Sequence, residues 1–106
     1  MIIRFEKDYL LELYQEGKTK DKKYRFQPSV VKNYIKRIDT LISASRIEDL
    51  FPFHSLNYEV LTGDKKGISS IRINDQYRLE FVVSKEGEPE PIITICTIKD
   101  ITNHYK

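Results

Sequence analysis

The stretch "SIRINDQYRLEF", Ser70 to Phe81, decides how this chain folds. Apolar and polar residues alternate on both sides of Asn74, Asp75 and Gln76, the period of a half-buried strand entering and leaving a turn. Ile71 and Ile73 must share the buried face with Tyr77, Leu79 and Phe81, because a slip of one residue would carry a whole apolar row into water. Only the pairing of Ile73 with Tyr77 and Ile71 with Leu79 satisfies both rows, so Arg72 is predicted to lie directly across from Arg78 on the polar face. The three residues between suit a short hairpin connection that includes one able to take a left-handed backbone. Like charges facing each other across strands destabilise a sheet, and two explanations stand open. The arginines splay into water or pair with Glu80 on the same face; alternatively, two guanidinium groups held roughly 5 Å apart at their Cβ atoms form an anion site suited to phosphate oxygens.

Around the hairpin the period-two pattern continues. "NYEVLT" is a candidate strand, "GDKKG" a glycine-bounded turn, "SKEGEPEP" a polar loop and "IITICTI" a last, largely buried strand. Before residue 56 the period is helical. "QPSVVKNYIKRIDTLISA" sets Val31, Tyr34, Ile35, Ile38 and Ile42 on one face, with Pro28 or Ser29 at its start and Lys32, Lys36 and Arg37 on the other side. Asp8 is placed to cap a first helix through Gln15, with Leu10, Leu13 and Tyr14 on its inner face and Gly17 as its stop. "IIRFE" reads as a short opening strand or an extended lead-in, and "SRIEDLFPF" as a helical turn ending before Pro52. Helices first and an antiparallel sheet second make an α+β layer fold, with the helical pair on one face of the sheet.

A chain of 106 residues with 40% hydrophobic content is expected to form one domain, residues 1–106, around a single modest core. No apolar run approaches the roughly 20 residues that span a bilayer, and "MIIRFEKDYL" lacks the features of a signal peptide. A cytoplasmic location without membrane contact is therefore expected. Cys96 stands alone in an apolar run, which excludes an internal disulfide and reads as a small buried hydrophobe. The net charge of +2 is unevenly spread. Lys18, Lys20, Lys22, Lys23 and Arg25 crowd one stretch against Asp21 alone, whereas "EGEPEP" is acidic. The basic run reads either as a solvated loop or as a contact for phosphate or a partner.

From Leu61 to Phe81, "LTGDKKGISSIRINDQYRLEF" resembles the HigB-type toxins of bacterial toxin–antitoxin pairs, within the RelE/ParE superfamily. The matching elements are Leu61, the Gly63-Asp64-Lys65 turn closed by Gly67, the strand Ser70-Ile71-Arg72, and Tyr77 followed by Arg78. The opening "MIIRFEKDYLLELYQEGK" is also similar to that family's start. The resemblance implies a RelE-like α+β fold, two N-terminal helices packed on a curved antiparallel sheet of three to four strands. It implies an endoribonuclease that cleaves messenger RNA in the ribosomal A site, using neither metal nor cofactor, by attack of a ribose 2′-hydroxyl on the adjacent phosphate. Arg78 would stabilise the developing charge with Arg72 reinforcing it, and Lys65 and Lys66 would hold messenger or ribosomal RNA backbone. Tyr77, a core residue in the register above, takes a structural duty. Arg78→Ala is then expected to leave the fold intact while abolishing toxicity.

Two departures bear on the acid and base. Where the family tends to end in an aspartate-tyrosine-histidine trio, this chain has Asn103, His104 and Tyr105, of which the last two offer an imidazole and a hydroxyl. Where the family can carry a catalytic histidine before the glycine turn, this chain aligns Glu59, a general base or a salt-bridged strand residue. His54 reads as structural or partner-facing. The implied partner is a HigA-like helix-turn-helix antitoxin, and operator DNA is reached only through that complex. The polar face of the long helix and the basic loop at Lys18 to Lys23 are the candidate antitoxin surfaces. Two other functions fit the same fold: a ParE-like toxin acting on gyrase, and an inactive binding module that keeps only the antitoxin-facing surface.

Overall fold

The computed structural model describes residues 1–103. Strand β1 (Ile2–Phe5) leads into helix α1 (Asp8–Glu16) and, after a short 3-10 turn at Lys22–Tyr24, helix α2 (Pro28–Ser43). Two further 3-10 turns, Ile47–Leu50 and His54–Leu56, precede β2 (Glu59–Val60), β3 (Ser69–Arg72), β4 (Tyr77–Glu86) and β5 (Ile93–Asn103). The strands form one sheet in the order β1-β5-β4-β3-β2. The expected antiparallel sheet of three to four strands is thus a mixed sheet of five, because "IIRFE" joins it, running parallel to β5 with Ile2 opposite Ile95 and Phe5 opposite Ile98. A parallel pair needs a long crossover between its strands, and here nearly the whole chain separates β1 from β5, so local pattern carried no sign of it.

The hairpin register is as expected: Ile71 faces Leu79 and Arg72 faces Arg78. The turn is held differently. No residue of Asn74–Gln76 takes a positive φ; instead the Asn74 side chain accepts hydrogen bonds from the backbone of Gln76 and Tyr77 at 2.9 and 2.7 Å, an asparagine mimicking a backbone turn.

Both helices cover one face of the sheet. Tyr9, Leu10 and Leu13 of α1 and Val30, Val31, Tyr34, Ile38 and Leu41 of α2 are buried against Ile71, Leu79, Phe81, Cys96 and Ile98. Ile42, expected on that face, is 46% exposed. At 3.6 residues per turn Leu41 sits about 20° from Tyr34 around the helix and Ile42 about 80° away, so the stripe passes through Leu41. Asp8 lies inside α1 and makes no capping bond, and Gly17 ends the helix in a left-handed conformation at φ 75°, which glycine adopts without steric cost.

Two buried tyrosines bolt the layers together. Tyr34 donates its hydroxyl hydrogen to the Leu10 carbonyl at 2.6 Å, tying α2 to α1. Tyr9 donates to the Asp100 carboxylate and accepts from the Ile101 N–H at 3.1 Å. Ile101 lies beyond the last β1 pairing and beside a register shift in the β4–β5 ladder, so Tyr9 takes a strand N–H that β1 does not reach. Cys96 is fully buried, and burial pushes its thiol up to about 11, in keeping with an inert small hydrophobe. Among the described residues no helix is long and apolar enough to cross a membrane.

Candidate functional site

The face of the sheet turned away from the helices carries Ser70, Arg72, Arg78, Glu80 and Thr102. Pleating sends alternate side chains to opposite faces, so the register that buries Ile71 and Leu79 also collects these polar groups. Arg72, Arg78 and Thr102 stand in one cross-strand row, and Glu59, Ser70 and Glu80 in the next.

Arg78 is not a surface arginine: it is 4% exposed. Its Nε donates to the Ser70 hydroxyl at 2.6 Å, and one terminal nitrogen donates to the carbonyls of Asn57 at 2.6 Å and Ser70 at 3.2 Å. That nitrogen also stands 3.6 Å from the half-exposed Glu59 carboxylate. Asn57 reaches it from a left-handed backbone conformation, φ 46°, which asparagine tolerates better than most residues. Burial lowers the Arg78 pKa and Glu59 works against that shift; a guanidinium titrates so high that the group stays cationic at neutral pH.

Arg72 is the more exposed of the pair. Its guanidinium meets the Asp75 carboxylate across the hairpin turn, while its backbone carbonyl accepts from Arg37 Nε at 2.7 Å. Arg37 therefore leaves the open helix face on which Lys32 and Lys36 remain, and burial lowers its pKa. Glu80, expected to neutralise an arginine, is instead held by Lys65 Nζ at 2.9 and 3.1 Å and by the Thr102 hydroxyl at 3.1 Å. The opposition of two arginines is thus relieved by giving each its own carboxylate, Asp75 for Arg72 and Glu59 for Arg78. Lys66 is exposed on the same turn.

Of the other residues singled out from sequence, Tyr77 packs edge-on against Phe26 at 5.2 Å between ring centres, on the helix side and away from the arginines. His54 is exposed and lines a shallow cleft with Phe51, Phe53, Asn57 and Tyr58, next to the carbonyl that holds Arg78. His104 and Tyr105 lie outside the described residues. Asn103, just before them, is paired with Tyr77, one step along the ladder from Arg78 and Thr102. Sequence reasoning missed Ser70 and Asn57, the groups that aim Arg78. Ser70 had a signal, since the hairpin register puts it beside Arg78 on the polar face; the Asn57 contact crosses 21 positions of chain and had none.

The arrangement offers a fixed cation with a carboxylate beside it. The Arg78 bonds occupy Nε and one terminal nitrogen, and the N–H groups of the second terminal nitrogen take no part in them. A positively charged donor locked in place with a base at 3.6 Å is what an anionic transition state with a proton to lose would require.

The chain is similar to known proteins in sequence and in fold. Residues 3–88 match the family described as the RelE-like toxin of type II toxin–antitoxin system HigB. Toxin HigB-1 of Vibrio cholerae serotype O1 is 34% identical over 82 residues, covering 76% of this chain and 82% of that protein. The solved YoeB/ParE toxin from Agrobacterium tumefaciens superposes with a TM-score of 0.52 at 19% identity, over 99% of this chain and all of that one. At that identity the likeness is one of fold.

Proposed function

This chain belongs to the HigB-like family, the RelE-like toxins of type II toxin–antitoxin systems, and on that premise we propose that it cleaves messenger RNA on the ribosome. Its role as the toxin of such a pair, and a cognate antitoxin that neutralises it, follow from that membership; ribonuclease activity is typical of the family. The observation that carries the finer reading is Arg78, locked by Ser70 and Asn57 with Glu59 at 3.6 Å. In the reaction a ribose 2′-oxygen bonds to the adjacent phosphorus and loses its proton to a base, and the bond to the 5′-oxygen breaks as that oxygen gains a proton. Arg78 stabilises the charge on the non-bridging oxygens and Arg72 adds to the field. Glu59 receives the 2′ proton, and His104 with Tyr105 serves the leaving oxygen. Lys65, through its hold on Glu80, and exposed Lys66 sit on the turn beside this face and attract RNA backbone. The antitoxin is taken to be a HigA-like helix-turn-helix protein through which operator DNA is reached, and the toxin acts in the cytoplasm.

Primer extension on a defined message, with and without 70S ribosomes, tests the proposal. Cuts that need the ribosome and fall by about 100-fold or more in Arg72→Ala, Glu59→Gln and His104→Ala are expected, the usual scale for losing one electrostatic or proton-transfer group. An intact message under every condition would refute it and direct attention to gyrase.

A further inference from the structure

The basic run Lys18, Lys20, Lys22, Lys23 and Arg25 is exposed. Elsewhere Arg4 pairs with Glu86, Lys7 with Asp100, Arg46 with Asp49, Lys65 with Glu80 and Lys99 with Glu6. The exposed lysines Lys32, Lys36, Lys66 and Lys85, without an ion pair among the described residues, are scattered rather than gathered in one run. The cations of this run make no ion pair among the described residues. Of the nearby acids, Asp21 accepts from the Lys23 N–H at 3.1 Å and caps the 3-10 turn, and Glu12, which accepts from Thr19, shares with Glu16 a cleft that Lys18, Lys20 and Arg25 also line, without closing an ion pair.

A solvated loop would have no reason to be fastened, yet this one is. Tyr24 stacks flat on Tyr9 at 3.6 Å between ring centres, and Phe26 meets Tyr77 edge-on. Tyr77 opens β4, one residue before Arg78. The two aromatic anchors therefore fasten the loop on the helix side of the sheet, the Phe26 anchor at the β4 end where Tyr77 precedes Arg78, whose side chain points to the opposite face. Much of the ordering cost of binding is already met in folding, and such preorganisation raises affinity without new contacts.

We infer that the segment Lys18–Phe26 is a fastened strap that grips RNA backbone phosphates beyond the reacting nucleotide, extending the arginine site around the end of the sheet. The inference rests on the nuclease reading for its ligand. Several cations without an ion pair, on a backbone anchored by Tyr24 and Phe26, suit a polyanion of regular charge, and they carry position without reading bases.

The test uses Lys22→Ala/Lys23→Ala/Arg25→Ala, which spares both aromatic anchors, with Lys85→Ala as control. Lys85 is an exposed cation eight positions along β4 from Tyr77, roughly 25 Å away. Affinity is measured against KCl for two probes, a 2′-O-methyl single-stranded oligonucleotide that cannot be cleaved and 70S ribosomes. The triple variant should bind at least tenfold more weakly, with a log–log salt slope shallower by about 2 for three lost contacts, an unchanged melting temperature and no such change in Lys85→Ala. A change on the oligonucleotide assigns the phosphates to the message, and a change on ribosomes alone assigns them to ribosomal RNA; either supports the strap. Unchanged affinity and slope on both probes in a toxin that still cuts its message would overturn the strap and leave the nuclease standing. Weakened antitoxin binding with RNA binding intact would also overturn it, making the run a protein interface. If the wild type binds neither probe, the strap fails too; if it binds but never cuts, the nuclease alone fails.

Discussion

Arg78→Ala tests the site and the fold together, and the structure reverses what the sequence suggested. The substitution removes a guanidinium that is 4% exposed and makes three hydrogen bonds. Breaking a buried charged pair by deleting one partner typically costs about 3–5 kcal/mol. Glu59 is 47% exposed and recovers water when its partner goes, which takes the ionic part of that penalty down. The hydroxyl of buried Ser70 is left without its donor, at about 1–3 kcal/mol for a buried group left unsatisfied, while the carbonyl of exposed Asn57 can turn to water. A net loss of about 2–4 kcal/mol follows. At roughly 4–8 °C per kcal/mol for a domain near this size, thermal unfolding followed by circular dichroism should shift down by about 10–25 °C. Arg78→Lys, which keeps the charge and one or two donors, should lose less. A melting temperature for Arg78→Ala within about 2 °C of the parent would refute the reasoning, and would mean that the buried network contributes nothing net. A consequence for the nuclease assay is that loss of toxicity in Arg78→Ala mixes chemistry with stability. Arg72→Ala is the cleaner probe, because its partner Asp75 is 86% exposed and such surface pairs are worth about 0–1 kcal/mol.

Other perturbations follow from the same geometry. Lys65→Ala leaves Glu80, whose side chain is 9% exposed, with the Thr102 hydroxyl alone; a loss of about 1–3 kcal/mol in urea unfolding is expected, and adding Glu80→Gln should recover part of it, so simple additivity of the two substitutions would count against the pair. Gly87→Ala places a Cβ 2.7 Å from the Glu90 carbonyl at φ 132° and should cost about 1–3 kcal/mol, which an unchanged denaturation midpoint would contradict. Tyr9→Phe removes one bond to Asp100 and one from Ile101, for a loss of about 1–2 kcal/mol. Tyr9 also carries a pH signature: burial first, then its bond to Asp100, raises its pKa above the usual 10.0, so the folded state holds the proton more tightly. That contribution is fully present below pH 10 and is lost as pH rises through the raised folded value. Stability should fall on alkaline titration, and less steeply in Tyr9→Phe; parallel alkaline limbs would sink this assignment.

The parts of the fold legible in one dimension are those that repeat at short range. Strand and helix periods, the Ile71–Leu79 and Arg72–Arg78 register and the burial of Cys96 all follow from which residues must avoid water within a few positions of one another. The family motif from Leu61 to Phe81 lies in that same local stretch, which is why fold and family could be read together. Where the pattern was ambiguous by one helical position, as between Leu41 and Ile42, packing against the sheet chose.

What had to wait for three dimensions is every contact that closes a long loop or depends on what lies above a face. Alternation marks Arg72 and Arg78 as polar-side residues, but it cannot say that the His54–Tyr58 segment folds down over one of them and leaves the other partly exposed. It cannot pair β1 with β5 across the whole chain, send Glu80 to Lys65, or bring Phe26 to Tyr77 so that the basic run is fastened at the end of β4. Sequence periodicity records which side of an element faces water in the isolated element. Charge partners and the burial of a polar face depend on the packing of distant segments, and no local pattern encodes that distance.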